Sequence, residues 1–233
     1  MIGIWLMAAA AWAGPVEDLV LASSKDAEER VRMEAFQRLV DLGTTDMSHV
    51  STVSNDDEAD ARHRWVAIRT LGHIKGDRAR NQLINLSSNP MPAIRSAAVA
   101  AMGDYAHESF VPYLTERVQD PAVIVRAAAS LALAQCGDER AVKALSDALL
   151  DKKNTFRGRS IWVRKYFVEA LGEIGSTAAY PALLRAVDDP DESVASAVLP
   201  ALEKIAGFSY SEGRSSVQEK EAWRRHLNSE LRR

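Results

Sequence analysis

Few side chains in this sequence are of the types that perform catalysis, and their spacing assembles no reaction centre. The five histidines are scattered, and none stands in an His-x-x-x-His or His-Glu-x-x-His pattern, which would place two metal ligands on one helical face. Cys136 is the only cysteine, which excludes an intrachain disulfide. No glycine-rich phosphate loop or nucleophile elbow is present. We therefore expect no catalytic residue, no bound metal and no other cofactor.

One charged residue type does recur with a regular spacing. Arginines follow one another about every 31 residues, at Arg32, Arg64, Arg95, Arg126 and Arg164. Stacked guanidinium groups would suit an anionic ligand. However, an acid or its amide lies six or seven residues before each of the first four, at Asp26, Asp57, Asn89 and Asp120. That spacing favours charge-assisted bonds that join the segments to one another, so we predict that the arginines are structural.

Each arginine, and Ala195 in a sixth, weaker copy of the repeat, belongs to a helical stripe of small and apolar residues. The positions three and seven residues after it hold Ala35 and Leu39, Ala67 and Leu71, Ala98 and Met102, Ala129 and Leu133, Phe167 and Leu171, and Val198 and Leu202. This is the spacing of one helical face. Glycines at 43, 76, 137, 175 and 207 are predicted to end these helices in the left-handed conformation.

A second helix follows each of these helices. It is marked by a leucine nineteen residues after the arginine, at Leu83, Leu114, Leu145 and Leu183. Three pairs then precede the next unit: Asn89-Pro90, Asp120-Pro121 and Asp189-Pro190. They are predicted to be N-caps with proline at the first helical position. Self-similarity with this period indicates a stacked array of helix pairs.

The segments "VRAAASLALAQCGDERAVKALSDALLD" (125–151) and "VRKYFVEALGEIG" (163–175) resemble the short HEAT repeat of the phycobilisome-lyase-like type. The resemblance covers about residues 26–207. It implies an all-α, right-handed α-solenoid of about six HEAT-like helix pairs whose motif residues hold the stack together. Cys136 lies ten residues after Arg126, at the position that isoleucine holds in two other copies, Ile74 and Ile174. It is therefore expected to be a small core residue.

Both ends of the chain lie outside the repeats. Residues 1–13, "MIGIWLMAAAAWA", are apolar and end in an A-x-A pattern before Gly14, which predicts a cleaved signal peptide. We therefore expect export, to a bacterial periplasm, and no stable membrane span after cleavage. Residues 14–207 are predicted to form the solenoid. Residues 208–233 are predicted to form a loop and a capping helix, with Val217, Trp223 and Leu227 on its buried face.

The strongest departure from the period is an insertion. Arg126 and Arg164 lie 38 residues apart, which places "DKKNTFRGRSIW" (151–162) between two units. It is predicted to be a loop on the binding face. Its candidate partner-binding residues are Lys152, Lys153, Phe156, Arg157, Arg159 and Trp162. Candidates on the second helices, which would line the concave face, are Tyr113, Glu116, Arg117, Arg140 and Lys143. Further polar positions there are Arg78, Asn81, Gln82, Asn85, Asp147 and Arg185.

These features favour a non-catalytic scaffold or adaptor that binds another protein or a peptide of unknown identity. The chain carries a net charge of -3 and its second helices are mildly acidic, so no nucleic-acid partner is expected. Two alternatives stay open. The repeat type implies a phycobilin-lyase-like chromophore-attachment subunit. The second is a metal-dependent HEAT-repeat enzyme. The dipeptide His107-Glu108 invites comparison with HEAT-type deoxyhypusine hydroxylases, whose di-iron site uses several His-Glu pairs, but a single pair cannot supply that set of ligands.

Overall fold

The computed structural model describes residues 14–157 and 159–232. The chain divides into two compact units between Tyr105 and Ala106. Regular structure in the described ranges is helical apart from one ladder of two short strands. Residues 1–13, the predicted signal peptide, lie outside the described residues. The predicted all-α class is confirmed.

The first unit contains a short helix, then two helix pairs, then one further long helix. In chain order its helices are α1 (Pro15–Ser23), α2 (Glu29–Thr45), α3 (Ser48–Asn55), α4 (Ala61–Ile74), α5 (Gly76–Leu86) and α6 (Pro92–Tyr105). The long helices α2, α4 and α6 pack in succession, α3 packs on α4, and α5 packs on both α4 and α6. Helix α1, which the repeat pattern did not predict, packs on α2 and α4. Its buried Asp18 accepts a 2.8 Å hydrogen bond from Nε of Arg38.

The second unit repeats the same packing. Its helices are α7 (Val111–Arg117), α8 (Val123–Cys136), α9 (Val142–Leu150), α10 (Val163–Ile174), α11 (Tyr180–Ala186), α12 (Glu192–Ala206) and α13 (Ser216–Glu230). Short 3-10 turns cover Glu108–Phe110, Glu139–Ala141, Lys152–Asn154 and Thr177–Ala179. Helices α8, α10 and α12 pack in succession, while α7 packs on α8 and α9 on α10. Each unit is thus a stack of helix pairs.

The predicted core positions are confirmed in both units. Every residue three or seven positions after the repeat arginine is fully shielded from solvent, from Ala35 and Leu39 to Val198 and Leu202. The four second-helix leucines are equally buried. Burial of a leucine side chain contributes about 1.5–3 kcal/mol. The periodic residues therefore make a large contribution to the apolar core of each unit.

The predicted helix ends are right at three glycines and wrong at two. Gly137, Gly175 and Gly207 take positive φ and end α8, α10 and α12. Helix α2 continues past Gly43 to Thr45. A Cβ at Gly43 would lie 2.2 Å from Cδ1 of Ile74, so this glycine is needed for close packing. Gly76 takes the predicted positive φ, +84°, but it begins α5, and α4 ends two residues earlier, at Ile74.

The predicted proline N-caps are wrong. Helices α6, α8 and α12 begin two or three residues after the acid or amide. The side chains of Asn89, Asp120 and Asp189 instead accept the backbone N–H two residues further on, at 2.8–3.0 Å. Such Asx turns compete with helix capping because the short side chain folds back onto its own backbone. Asp191 is the residue that caps α12.

The repeat arginines are structural, but their partners differ from the predicted acid. Arg64 pairs with Asp57 at 2.9 Å, as predicted. Arg95 and Arg126 each donate to backbone carbonyls of the preceding turn, and Arg126 reaches the carbonyl oxygen of Asp120 at 2.7 Å. Burial lowers the pKa of Arg126. Arg164 pairs with Asp189, which follows it in sequence. The guanidinium groups join turns within each unit and do not form an open anion ladder.

The C-terminal helix α13 packs on α11. Trp223 and Leu227 are fully buried, as expected for its inner face, whereas Val217 is 72% exposed and its predicted burial is wrong. A capping box of Ser215 and Gln218 starts the helix one turn before that face begins. Among the helices that the structure describes, none is long and apolar enough to span a bilayer.

Candidate functional site

The insertion between α9 and α10 is a hairpin, so the predicted loop is wrong. We call residues 151–162 the inserted hairpin. A 3-10 turn leads into β1 (Thr155–Phe156), which pairs antiparallel with β2 (Arg159–Ser160). Phe156 lies opposite Arg159 in this ladder. The register places an aromatic ring and a basic residue side by side.

Buried hydrogen bonds hold the inserted hairpin on the second unit. Asn154 is fully buried, and its Nδ2 donates to the carbonyl oxygen of Ala148 at 2.8 Å. Its own carbonyl accepts from the N–H of Ile161 at 3.1 Å. The N–H of Ser160 donates to Oδ2 of Asp191 at 3.0 Å. Since both strands are tied to neighbouring helices, the hairpin presents its side chains in a fixed arrangement.

Two aromatic side chains of the inserted hairpin are exposed. Phe156 is 66% and Trp162 48% accessible to solvent. The Arg157 guanidinium lies 5.2 Å from the centre of the Phe156 ring, and the Trp162 ring meets Tyr166 edge-on at 5.8 Å. Arg157 and Trp162 have φ of +52° and +57°. A non-glycine residue in this region costs on the order of 1–3 kcal/mol and is held there by its surroundings.

The basic residues of the inserted hairpin differ in how far they are already paired with other side chains. Lys153 lies 3.6 Å from the carboxylate of Asp151 and also hydrogen-bonds Gln119. Lys152 is exposed, and Arg157 has no ion pair in the described ranges. Arg159 contributes its backbone to β2. The structure therefore brings the six predicted hairpin residues onto one anchored element.

The candidate residues on the second helices are largely paired among themselves. Glu116 contacts Arg117, which lies 3.7 Å from Asp120. Lys143 binds Asp147 at 2.6 Å. Hydrogen bonds between Arg140 and Asp138 raise the pKa of the arginine and lower that of the aspartate. Tyr113 is 39% exposed. Lys153 of the inserted hairpin hydrogen-bonds Gln119, which follows α7. The assignment of these residues to partner binding stays a prediction.

The residues considered for chemistry have structural partners. His107 accepts a 3.1 Å hydrogen bond from the N–H of Ser109 at its Nδ1, which caps a 3-10 turn. Cys136 is half-buried, and burial raises the pKa of its thiol to about 11. The thiol is therefore protonated at neutral pH and poorly nucleophilic. No metal-binding group of three or more histidine, cysteine or acidic side chains occurs in the described part of the chain.

A polar concavity of about 340 Å³ lies in the first unit, between α3 and α5. We call it the amide groove. Its lining residues are Met47, Ser51, Asn55, Arg78, Asn81, Gln82 and Asn85. The four residues of α5 were among the polar positions expected on the second helices. The three from α3 were missed, although the serine at 51, where other copies have leucine, was a signal that this helix carries a polar face.

Two stacks of helix pairs place the protein in the class of α-helical repeat proteins. The sequence profile of the HEAT repeats matches residues 51–124, 83–162 and 155–216, which together span more than two thirds of the chain. The chain belongs to the HEAT-repeat family. Comparison with curated protein sequences found no significant match.

Several solved structures are similar in fold. A designed armadillo repeat protein in complex with the peptide (KR)4 has a TM-score of 0.54 and 16% identity, over 83% of this chain and 100% of that one. The complex of CpcE and CpcF of phycocyanin lyase from Nostoc sp. PCC7120 has a TM-score of 0.39 and 17% identity, over 93% and 95%. Human deoxyhypusine hydroxylase in complex with glycerol has a TM-score of 0.42 and 16% identity, over 88% and 99%.

Proposed function

We propose that this HEAT-repeat protein is a non-catalytic adaptor that binds another protein through its inserted hairpin. The observation that carries the proposal is the pair of exposed aromatic side chains, Phe156 and Trp162, on an element anchored by buried hydrogen bonds. Aromatic residues and arginine dominate the binding energy of protein interfaces. Because the hairpin is already ordered, association costs little additional conformational entropy.

The charges of the inserted hairpin indicate the chemistry of the partner. Arg157 lies beside the Phe156 ring, and the exposed Lys152 adds a second positive charge to the hairpin. A partner surface with an apolar patch rimmed by carboxylates fits this arrangement, because rim charges of opposite sign speed the encounter. A designed armadillo repeat protein of related fold binds the basic peptide (KR)4. A helical repeat protein can thus bind a peptide, and here the basic element is on the repeat protein.

Export to a bacterial periplasm is part of the proposal and rests on residues 1–13 alone. Sequencing the N-terminus of the protein recovered from its host tests it. A mature chain beginning at Gly14 supports export, and an intact Met1 on cytoplasmic protein contradicts it.

Binding to a captured partner tests the proposed interface. The partner is isolated by photo-crosslinking from a benzoylphenylalanine placed at position 156, and its affinity for the purified protein is then measured. Phe156→Ala and Trp162→Ala are each expected to weaken binding by about 2 kcal/mol or more, roughly thirtyfold. The partner is expected to keep its mass after incubation, since an adaptor does not modify it.

Matched controls exist in the first unit. Trp65 is 50% and Met33 65% exposed, close to the values for Trp162 and Phe156. Trp65→Ala and Met33→Ala are expected to leave the affinity unchanged within about twofold, a few tenths of a kcal/mol. If the hairpin variants bind as tightly as the wild type, the hairpin is not the interface. If the partner returns covalently modified, the protein is not a simple adaptor.

A further inference from the structure

The floor of the amide groove is fixed by hydrogen bonds between two helices. Oγ of Ser51 on α3 donates to Oε1 of Gln82 on α5 at 2.8 Å. Nε2 of Gln82 donates in turn to the carbonyl oxygen of Ser51 at 3.1 Å and to Oγ of Ser54 at 2.5 Å. The Gln82 amide is therefore satisfied within the protein. It sets the separation of the helices without being available to a ligand.

Unlike Gln82, the two asparagines of α5 that line the groove have side-chain amides without hydrogen-bond partners among the described residues. These residues, Asn81 and Asn85, are exposed. Asn55 across the groove uses its Nδ2 to donate to the carbonyl of Ser51 at 2.9 Å, which leaves its Oδ1 as an acceptor. Each asparagine of α5 thus offers one NH2 donor and one carbonyl acceptor to a ligand.

The spacing of these amides matches an extended polypeptide. Asn81 and Asn85 are four residues apart on α5, roughly 6 Å along the helix axis. In an extended chain every second residue presents its N–H and C=O to the same side, at intervals of about 6.6 Å. One asparagine amide can pair with the N–H and C=O of one such residue. The next amide then meets the residue two positions further along the peptide.

A cation lies at one end of this row. Arg78 precedes Asn81 by about one helical turn, is exposed, and has no ion pair within the described residues. The nearby Asp46 is engaged elsewhere, because its carboxylate accepts the N–H of Ser48 at 2.9 Å. That bond is the main cause of the lowered pKa of Asp46, with Arg78 contributing. The guanidinium remains available for the bidentate carboxylate contact that it favours.

We propose that the amide groove binds an extended segment of a partner protein, whose backbone pairs with Asn81 and Asn85 and whose acidic side chain pairs with Arg78. The lining contains no aromatic ring, which disfavours a sugar, whose flat faces pack on such rings. The groove belongs to the first unit and the inserted hairpin to the second. The two sites are therefore tested separately, and either can fail alone.

Titration of the isotope-labelled full chain with a short peptide tests the groove. The probe is acetyl-Ala-Ser-Glu-Ala-Ser-Ala-amide, and the matched peptide has lysine in place of glutamate. The side-chain amide resonances of Asn81 and Asn85 are expected to shift saturably with the glutamate peptide and to respond at least about tenfold more weakly to the lysine peptide. A peptide with glutamate replaced by alanine and a free C-terminal carboxylate is expected to bind no better than the lysine peptide.

Variants of the groove separate backbone pairing from charge. The double change Asn81→Ala and Asn85→Ala is expected to weaken binding of the glutamate peptide about tenfold or more, since each amide loses two hydrogen bonds. Arg78→Gln is expected to abolish the preference for glutamate over lysine. Asn228→Ala, an exposed asparagine on α13, is the control for the chemical change and is expected to bind as the wild type. Absence of saturable shifts, equal binding of both peptides, or wild-type affinity of the double variant would overturn the proposal.

Discussion

Replacing Arg164 by methionine is expected to destabilise the second unit strongly. The Arg164 Nε donates to the carbonyl oxygen of Leu149 at 2.9 Å, and Nη1 donates to Oδ1 of Asp189 at 3.1 Å. The side chains of Arg164 and Asp189 are only 8% and 6% exposed. Methionine keeps the length of the side chain but leaves the Asp189 carboxylate buried without its cation. Breaking a buried pair in this way costs about 3–5 kcal/mol.

The same replacement at Arg126 is the internal comparison. Arg126 holds the same position in its repeat and is also buried, but it donates to the carbonyl oxygens of Asp120 and Pro121, at 2.7 and 3.0 Å. Asp120 and Asp151 attract the Arg126 guanidinium only from beyond direct contact, so Arg126→Met removes hydrogen bonds without breaking a direct, buried ion pair. The expected cost is about 1–3 kcal/mol.

Urea denaturation followed by far-ultraviolet circular dichroism measures both costs, provided that the denaturant slope is unchanged. Adding Asp189→Asn to the Arg164→Met variant is expected to recover more than about 1 kcal/mol, because the buried charge is removed. In the wild type the N–H of Asp191 lies 3.0 Å from Oδ1 of Asp189. The side-chain oxygen of the asparagine can accept the same hydrogen bond. Equal costs at Arg164 and Arg126, or no recovery with Asp189→Asn, would refute this account of the repeat arginines.

Three further outcomes are expected. Burial raises the pKa of Cys136 from 9.0 to about 11. The contribution of this thiol to stability is therefore present below pH 9 and is lost as pH rises towards 11, because the thiol of the unfolded chain ionises first. Alkylation of Cys136 should accelerate when urea unfolds the protein. Asn154→Ala should destabilise the second unit by about 1–3 kcal/mol in urea denaturation, as it removes the bond to the carbonyl of Ala148. Gly172→Ala should lower stability by about 1–3 kcal/mol, because the new Cβ would lie 2.8 Å from Cα and Cβ of Ala201. Alanine normally favours a helix over glycine by about 1 kcal/mol. A stabilised variant would therefore contradict the close contact between the two helices.

The Asn154 result also bears on the inserted hairpin. Its sequence, which interrupts the repeat and carries four basic residues, predicted a loop on the binding face. The structure buries Asn154 against α9 and ties Ser160 to α12. Deleting this segment therefore removes anchoring bonds and is not a neutral control. Phe156→Ala and Trp162→Ala are the better tests, since these side chains are exposed.

The sequence by itself determined the helix pairs, their core and three of the helix ends at glycine. Residues such as Leu133 and Leu171 recur with the repeat because each pair packs only on its neighbours, so that one short pattern specifies every interface. Gly137 and Gly175 end helices for a local reason, which is that glycine takes positive φ at little cost.

The tertiary structure decided what depends on atoms distant in sequence. Gly43 lies against Ile74, where a Cβ would clash, and Arg164 pairs with Asp189, which lies 25 residues after it in sequence. The groove on α5 was expected to be polar, but only the bonds of Gln82 to α3 show which amides remain free for a ligand. Periodicity records which face of a helix is buried. It does not record which neighbouring polar group satisfies a side chain, because that choice is made by geometry across the packed helices.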